Sequence, residues 1–186
     1  VYLAGAFADS LDLDPGPGLV QLSSKGQTDG FIARYSAAGV FAWARQIGGT
    51  GEDIVSDVAV GSPTSIAVIG SFTGSVTLDS VAPGGVLSGQ GGTDLFIAVY
   101  LPDGGFLRSA TLGGQGEDRG GGIENDPATG GVYACGYFAG EATLRAGLFQ
   151  DTLKSHGDRD MALVAFDQDL QGLWAHPVGG ASQDGA

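Results

Sequence analysis

The chain has 186 residues, of which 35 are Gly, 42% are hydrophobic and only 16% are charged. That is too apolar for a disordered segment, and the density of Gly argues against helices. A net charge of −13, from 21 acids against 8 bases, removes the basic face a nucleic-acid binder needs, while a single Cys excludes an internal disulfide framework.

In chain order, the first strand signal is Val1-Tyr-Leu-Ala-Gly-Ala-Phe7. A short alternating segment, Leu11-Asp-Leu13, follows, with Pro-Gly-Pro-Gly at 15–18 as its turn. Asp29-Gly-Phe-Ile-Ala-Arg-Tyr35 comes next, then a turn at Ala38-Gly39, a strand through Trp43, and Gly-Gly-Thr-Gly-Glu-Asp at 48–53. The sequence then starts again. It runs through Ile54–Val60, Ile66–Phe72, the alternating Val76-Thr-Leu78, the turn Pro-Gly-Gly at 83–85, Asp94–Tyr100, the turn Asp103-Gly-Gly105 and Phe106–Leu112. Gly-Gly-Gln-Gly-Glu-Asp at 113–118 opens a third round with Val132–Phe138, Ala142-Thr-Leu144 and Asp160–Phe166. A degraded copy of the turn, Gly-Gly-Ala-Ser-Gln-Asp, stands at 179–184. No apolar run reaches the roughly 20 residues of a membrane helix, and the length suits one domain.

The turn motif at 48, 113 and 179 sets offsets of 65 and 66, and the strand landmarks keep them. The repeat units are 1–65, 66–131 and 132–186. Four antiparallel strands with an inserted hairpin, repeated at a fixed period, describe an all-β chain of β-propeller blades. The third strands are apolar at consecutive positions, as burial on both faces requires. The predicted blades are 1–53, which holds only strands two to four, then 54–118 and 119–184. Propellers close with about four to eight blades. The expectation is therefore an incomplete propeller, extended by further blades of a parent chain or by self-association. A parallel β-helix is the runner-up.

At these residues the sequence resembles the bacterial β-propeller repeat called the SBBP repeat. Val1-Tyr-Leu-Ala-Gly, Thr28-Asp-Gly-Phe-Ile-Ala-Arg-Tyr and Trp43-Ala-Arg-Gln-Ile-Gly-Gly fit that pattern, and the resemblance covers nearly the whole chain. It implies the architecture and an extracellular or cell-surface bacterial setting. It implies no particular activity. The chain departs from the pattern at Ala162, which stands where Phe31 and Phe96 stand, and at Arg108, which replaces Trp43 and Trp174.

The residues that recur in every copy read as structural. Gly48, Gly49, Gly113 and Gly114 supply turn backbone. Asp53, Asp118 and Asp184 accept local N–H bonds that fix the turn. Asp29, Asp94 and Asp160 are hydrogen-bonding posts at the start of the third strand. Residues 48–56 also fit the calcium nonapeptide, although that motif works in tandem and these copies stand 65 residues apart. Calcium is thus a candidate ion, and no other cofactor is implied. Asp12, Asp14, Asp167 and Asp169 are solvated turn acids or a weak calcium site.

Residues that break the repeat are the candidate binding residues. His156 replaces Lys25 and Gln90 in a polar stretch that includes Asp158 and Arg159, and His176 replaces Arg45 and Ala110. Cys135 reads as a small buried hydrophobe. No nucleophile, base and oxyanion donor fall together. The leading expectation is a non-catalytic repeat module for binding or structural display, with a protein or glycan partner and neither nucleic-acid binding nor membrane insertion. The alternatives are part of a propeller lyase or hydrolase, or a calcium-stabilised scaffold.

Overall fold

Short stretches of β-branched and aromatic residues between glycine-rich turns form strands throughout the chain. A computed structural model describes residues 1–61 and 65–184, so that 62–64 and 185–186, which close the last predicted unit, lie outside the described residues. The fold is all-β, with no helix among the described residues. The first unit holds β1 (Tyr2–Phe7), β2 (Ser10–Asp12), β3 (Gln21–Ser23), β4 (Asp29–Tyr35) and β5 (Phe41–Ile47). β6 (Asp53–Val60) closes the first unit and leads into β7 (Ile66–Thr77), β8 (Val86–Tyr100) and β9 (Phe106–Gly114) of the second. β10 (Arg119–Asn125) likewise closes the second and leads into β11 (Val132–Phe138), β12 (Glu141–Ala146), β13 (Phe149–Lys154), β14 (Asp160–Phe166) and β15 (Gly172–Val178) of the third.

The strands make three main antiparallel sheets and one separate hairpin, β2–β3. The first sheet has the order β1-β4-β5 and the last the order β10-β11-β14-β15. The middle sheet runs β6-β7-β8-β9 and continues into β12-β13, so the insert of the third unit pairs with the last strand of the second. In the middle unit the insert is no separate hairpin. β7 and β8 run straight into it, with a register shift between Thr73 and Ser75 at Gly74, whose φ is +78°.

Burial follows the sheet-on-sheet arrangement. One apolar core joins the first sheet to the middle one through Ile32, Ile47, Val55, Val68, Phe72 and Phe96. A second joins the middle sheet to the last through Ile69, Leu95, Ile97, Ile123, Phe138 and Val164. A smaller cluster seals Phe7, Phe31 and Ala33 beneath Leu13 and the β2–β3 hairpin. Thr93 to Tyr100 are buried on both faces, because β8 has a sheet on either side. Leu163, the β14 counterpart of Ile97, is 40% exposed on the outer flank of the last sheet.

The turns between third and fourth strands show one substitution of chemistry. Gly39 and Gly104 take φ of +77° and +86°, and their counterpart in the third unit is Leu170 at +54°. A side chain in this left-handed region is strained. Leu170 is nonetheless buried in the second core, and that burial offsets the strain. Leu170→Ala should therefore cost about 2–4 kcal/mol, because it removes the burial and keeps the strain. Leu170→Gly should cost less than Leu170→Ala, reversing the usual order. Urea unfolding of the two variants measures this.

Candidate functional site

The repeated turns are where successive units join. Asp29, Asp94 and Asp160 are buried, and each carboxylate accepts the backbone N–H of the residue four positions earlier. Those donors are Lys25 at 3.1 Å, Gln90 at 2.9 Å and His156 at 3.0 Å. A Cβ on Gly48, Gly113 or Gly179 would run into the carboxylates of Asp29, Asp94 and Asp160 respectively. The first Gly of the motif is thus the slot that holds the Asp of its own unit. The other glycines face the following unit. A Cβ on Gly49 or Gly51 would strike the carbonyls of Ser75 and Thr73, and on Gly114 or Gly116 those of Glu141 and Ala139. All four carbonyls lie at the insert of the next unit, so close backbone approach is what demands glycine. In the third copy the space beside Gly180 is open, and Ser182 stands where Gly51 and Gly116 stand.

The Asp that ends each motif ties the joint from the other side. Gly49 N–H donates to Asp53 at 2.6 Å, Gly180 N–H to Asp184 at 2.8 Å, and Ala139 N–H reaches Asp118 at 3.1 Å across the joint. The backbone N–H groups of Asp53, Asp118 and Asp184 donate in turn to Thr28, Thr93 and Arg159 carbonyls at 3.0, 2.7 and 2.7 Å. Burial pushes the Asp53 carboxyl up to about 6 and the Asp118 carboxyl up to about 7, with the neighbouring Asp29 and Asp94 adding to the effect. Burial raises Asp94 as well. One oxygen of each of Asp53, Asp94, Asp118 and Asp160 is buried with no hydrogen-bond partner. An unpaired buried acceptor is costly, and at Asp53 and Asp118 burial favours the neutral carboxyl, which lowers that cost. These sealed carboxyls fasten turns and present no surface to a substrate.

The residues that break the repeat go to separate partners. The His156 ring places Nδ1 3.2 Å from Asp160 Oδ2, the same oxygen its backbone N–H bonds. The Arg159 guanidinium lies 4.0 Å over the Tyr137 ring, a cation–π contact. Asp158 is exposed. His176 is stacked on Trp174, with centroids 5.1 Å apart and ring planes 19° apart. Cys135 is a free, half-buried thiol on β11. Asp12 accepts the N–H groups of Val20 and Asp14 at 3.0 and 3.1 Å, and those bonds lower its pKa. Asp14 accepts Gly16 N–H at 2.8 Å, and Asp167 accepts Asp169 and Gln171 N–H at 2.8 and 2.9 Å. Asp169 pairs with Arg108 at 2.5 Å. Among the described residues, no three His, Cys, Asp or Glu side chains gather as a metal site would require.

The chain matches no family profile, and no curated protein matches it.

An aromatic pair stands apart from the charged and nucleophilic residues. Tyr2 and Trp43 lie 6.1 Å apart on the first sheet, at the joint to the second. There the turn at 101–105 covers them. Trp43 Nε1–H and Arg34 Nη1–H both donate to the Pro102 carbonyl, at 2.9 and 2.7 Å, and Arg45 Nε–H donates to the Gly104 carbonyl at 2.9 Å. The same pair recurs as Tyr133 and Trp174, 6.3 Å apart, on the outer flank of the last sheet. His176 stands beside it in the place of Arg45, and Tyr133 is 46% exposed. The sequence signal was present: the Tyr and Trp of the first and third units are Ala67 and Arg108 in the second.

Proposed function

We propose that the chain is a non-catalytic module of β-propeller blades, of the SBBP-repeat kind, serving binding or structural display in a secreted or cell-surface bacterial protein. One observation carries the reading. Of the acidic residues that recur from unit to unit, Asp29, Asp53, Asp94, Asp118 and Asp160 are buried and only Asp184 is half-exposed, while His156, Arg159 and His176 are tied to three different partners. A catalytic centre needs such groups to converge on one reacting atom. The outer flank formed by Tyr133, Leu163, Trp174 and His176 is the surface offered to a protein or glycan, because flat aromatic faces bury large area at little entropic cost. An acidic exterior keeps an extracellular scaffold dispersed.

A glycan and protein-ligand array probed with the full chain tests this. The expected result is a retained ligand whose signal falls at least about tenfold in Trp174→Ala, with an unchanged melting midpoint. Turnover of a polysaccharide or ester that His156→Ala abolishes would overturn the reading. The calcium-stabilised alternative has its own check. Since burial favours the neutral form of the Asp53, Asp94 and Asp118 carboxyls, addition of a calcium chelator should leave the melting midpoint unmoved. A rise of several degrees in millimolar calcium would transfer the reading to an ion-fastened scaffold.

A further inference from the structure

We propose that the cavity at the joint between the second and third units binds a small aromatic carboxylate, a single ring bearing one anionic group, on the Arg108 guanidinium. The joint before it is built alike and differs at this place. There Trp43 and Arg34 donate to the Pro102 carbonyl and Arg45 to the Gly104 carbonyl, so side chains close the space under the turn. The residues standing at the same places in the later joint are Arg108, Val99 and Ala110, and the turn they face carries Gln168 and Leu170. Val99 and Ala110 have no side-chain donor. The Tyr2 ring, which lies beside Trp43, has Ala67 as its counterpart. The later joint therefore lacks two rings that the earlier one holds.

Leu170 makes up part of the lost volume. Its counterpart Gly104 lies against the Trp43 ring, where a Cβ would stand 3.0 Å from a ring carbon, and the Leu170 side chain is buried in the second core. The remainder is an open cavity of about 260 Å³, whose walls include Ser65, Val99, Leu101, Leu107, Arg108 and Asp169. Nothing in this geometry depends on the ends of the chain, because strands on both sides of the cavity belong to its interior.

The lining selects the ligand. Val99, Leu101 and Leu107 supply apolar wall, and an apolar cavity of roughly 150 Å³ is enough for a benzene ring. Charge decides the rest. Arg108 is the one base in the lining and Asp169 the one acid. Arg108 gives Asp169 a single N–H, from Nη1 to Oδ1 at 2.5 Å. A guanidinium offers five donors in a planar fork that matches both oxygens of a carboxylate. The pair also sits at the rim, with 33% of the Arg108 side chain and 61% of the Asp169 side chain exposed, where an ion pair holds weakly. Asp169 is thus a tethered rival that an entering carboxylate displaces or joins on the fork. One cation beside one acid suits a monoanion and gives a dianion such as phosphate too little positive charge. A cationic ligand would have to draw Asp169 away while facing the guanidinium.

The probe is benzoate, titrated into the full chain and followed by the amide and Arg Nε–H signals of ¹H–¹⁵N NMR spectra. Saturable shifts centred on Leu101, Leu107, Arg108 and the turn at 168–170 are expected, with a Kd of about 1 mM or tighter. Benzyl alcohol, which keeps the ring, acetate, which keeps the charge, and benzylamine, which inverts it, should each bind at least about tenfold more weakly. Arg108→Gln should cost at least about tenfold in benzoate affinity. Asp169→Asn should raise that affinity severalfold, because the rival carboxylate is gone, and a gain of affinity cannot come from a folding defect. Both variants should keep the native melting midpoint, since both side chains lie at the rim. Shifts that do not saturate or centre elsewhere, benzylamine binding as tightly as benzoate, unchanged affinity in Arg108→Gln, or unchanged or lowered affinity in Asp169→Asn would overturn the proposal. The cavity shares no residue with the flank of Tyr133, Leu163, Trp174 and His176, so this titration and the ligand array fail independently.

Discussion

Gly70→Ala is expected to destabilise the chain by about 3 kcal/mol or more, whereas Gly5→Ala, the same substitution one repeat earlier, should cost less than about 1 kcal/mol. The difference is one of neighbours. At Gly70 the new methyl meets the Ile54 carbonyl and the Phe96 ring, 2.6 Å away, and neither can retreat. Ile54 is held in the β6–β7 ladder, and Phe96 is fully buried against Phe72. At Gly5 only the Phe31 ring must yield, by a few tenths of an ångström from 3.2 Å. Gly136→Ala should behave like Gly70→Ala, since the Arg119 carbonyl and the Leu95 side chain crowd it. Urea unfolding midpoints at constant slope provide the measurement. Equal losses at positions 5 and 70 would mean that the backbone conformation of the strand, and not the overlying carbonyl, selects glycine.

Asp118→Asn is expected to stabilise the protein at pH 8 and to flatten its dependence on pH. In the unfolded chain this carboxyl titrates near its ordinary value of 3.8, and in the folded chain near 7. Between those values the folded state holds the extra proton. Stability therefore falls as pH rises, by up to about 1.4 kcal/mol per pH unit for the group. The contribution is complete below about pH 4 and is lost as pH passes through the folded value. Asp53, raised to about 6, acts in the same direction over a narrower window. The melting midpoint should accordingly be several degrees higher at pH 5 than at pH 8. Asn keeps an oxygen for the Ala139 N–H and brings no charge into the joint, so a gain of about 2 kcal/mol at pH 8 is expected. Asp12, Asp79 and Asp126 oppose this trend at the acid end, because backbone N–H groups and, at Asp126, chiefly the Thr129 side chain lower their pKa values. A midpoint that rises steadily from pH 5 to pH 8 would contradict the assignment of Asp118 as a buried, protonated group.

The period of the sequence carried most of the all-β fold, because each strand is a short apolar run closed by turn residues and each lies close to its sheet partners in the chain. β6 and β9 start and end within a few residues of where Ile54–Val60 and Phe106–Leu112 place them, and β8 ends at Tyr100, the end of Asp94–Tyr100. The extension of β7 and β8 through the insert was not legible, since pairing across Gly74 depends on a register shift that no local pattern encodes. The pairing of β12 with β9 was equally hidden, because it joins two units and is fixed by their packing. Of the candidate residues, the recurring Asp and Gly positions announced themselves by repetition. Their division into a slot for the unit's own Asp and a landing for the next unit's backbone required coordinates. Tyr133 and Trp174 were overlooked because aromatic residues in a strand ordinarily signal core, and only the position of the last sheet exposes them.

The crossing of the β12–β13 hairpin onto β9 has a mechanical consequence. Between the second and third units the backbone ladder runs on over four residue pairs, from Ala142↔Gly114 to Arg145↔Thr111. Between the first and second it is reduced to a single bridge, Gly48↔Thr77. A load drawn along the chain from its first residue thus meets its weakest shear plane at the earlier junction. The later two units share one continuous ladder and resist as a single piece, so under tension the molecule peels from one end instead of shedding its units in random order.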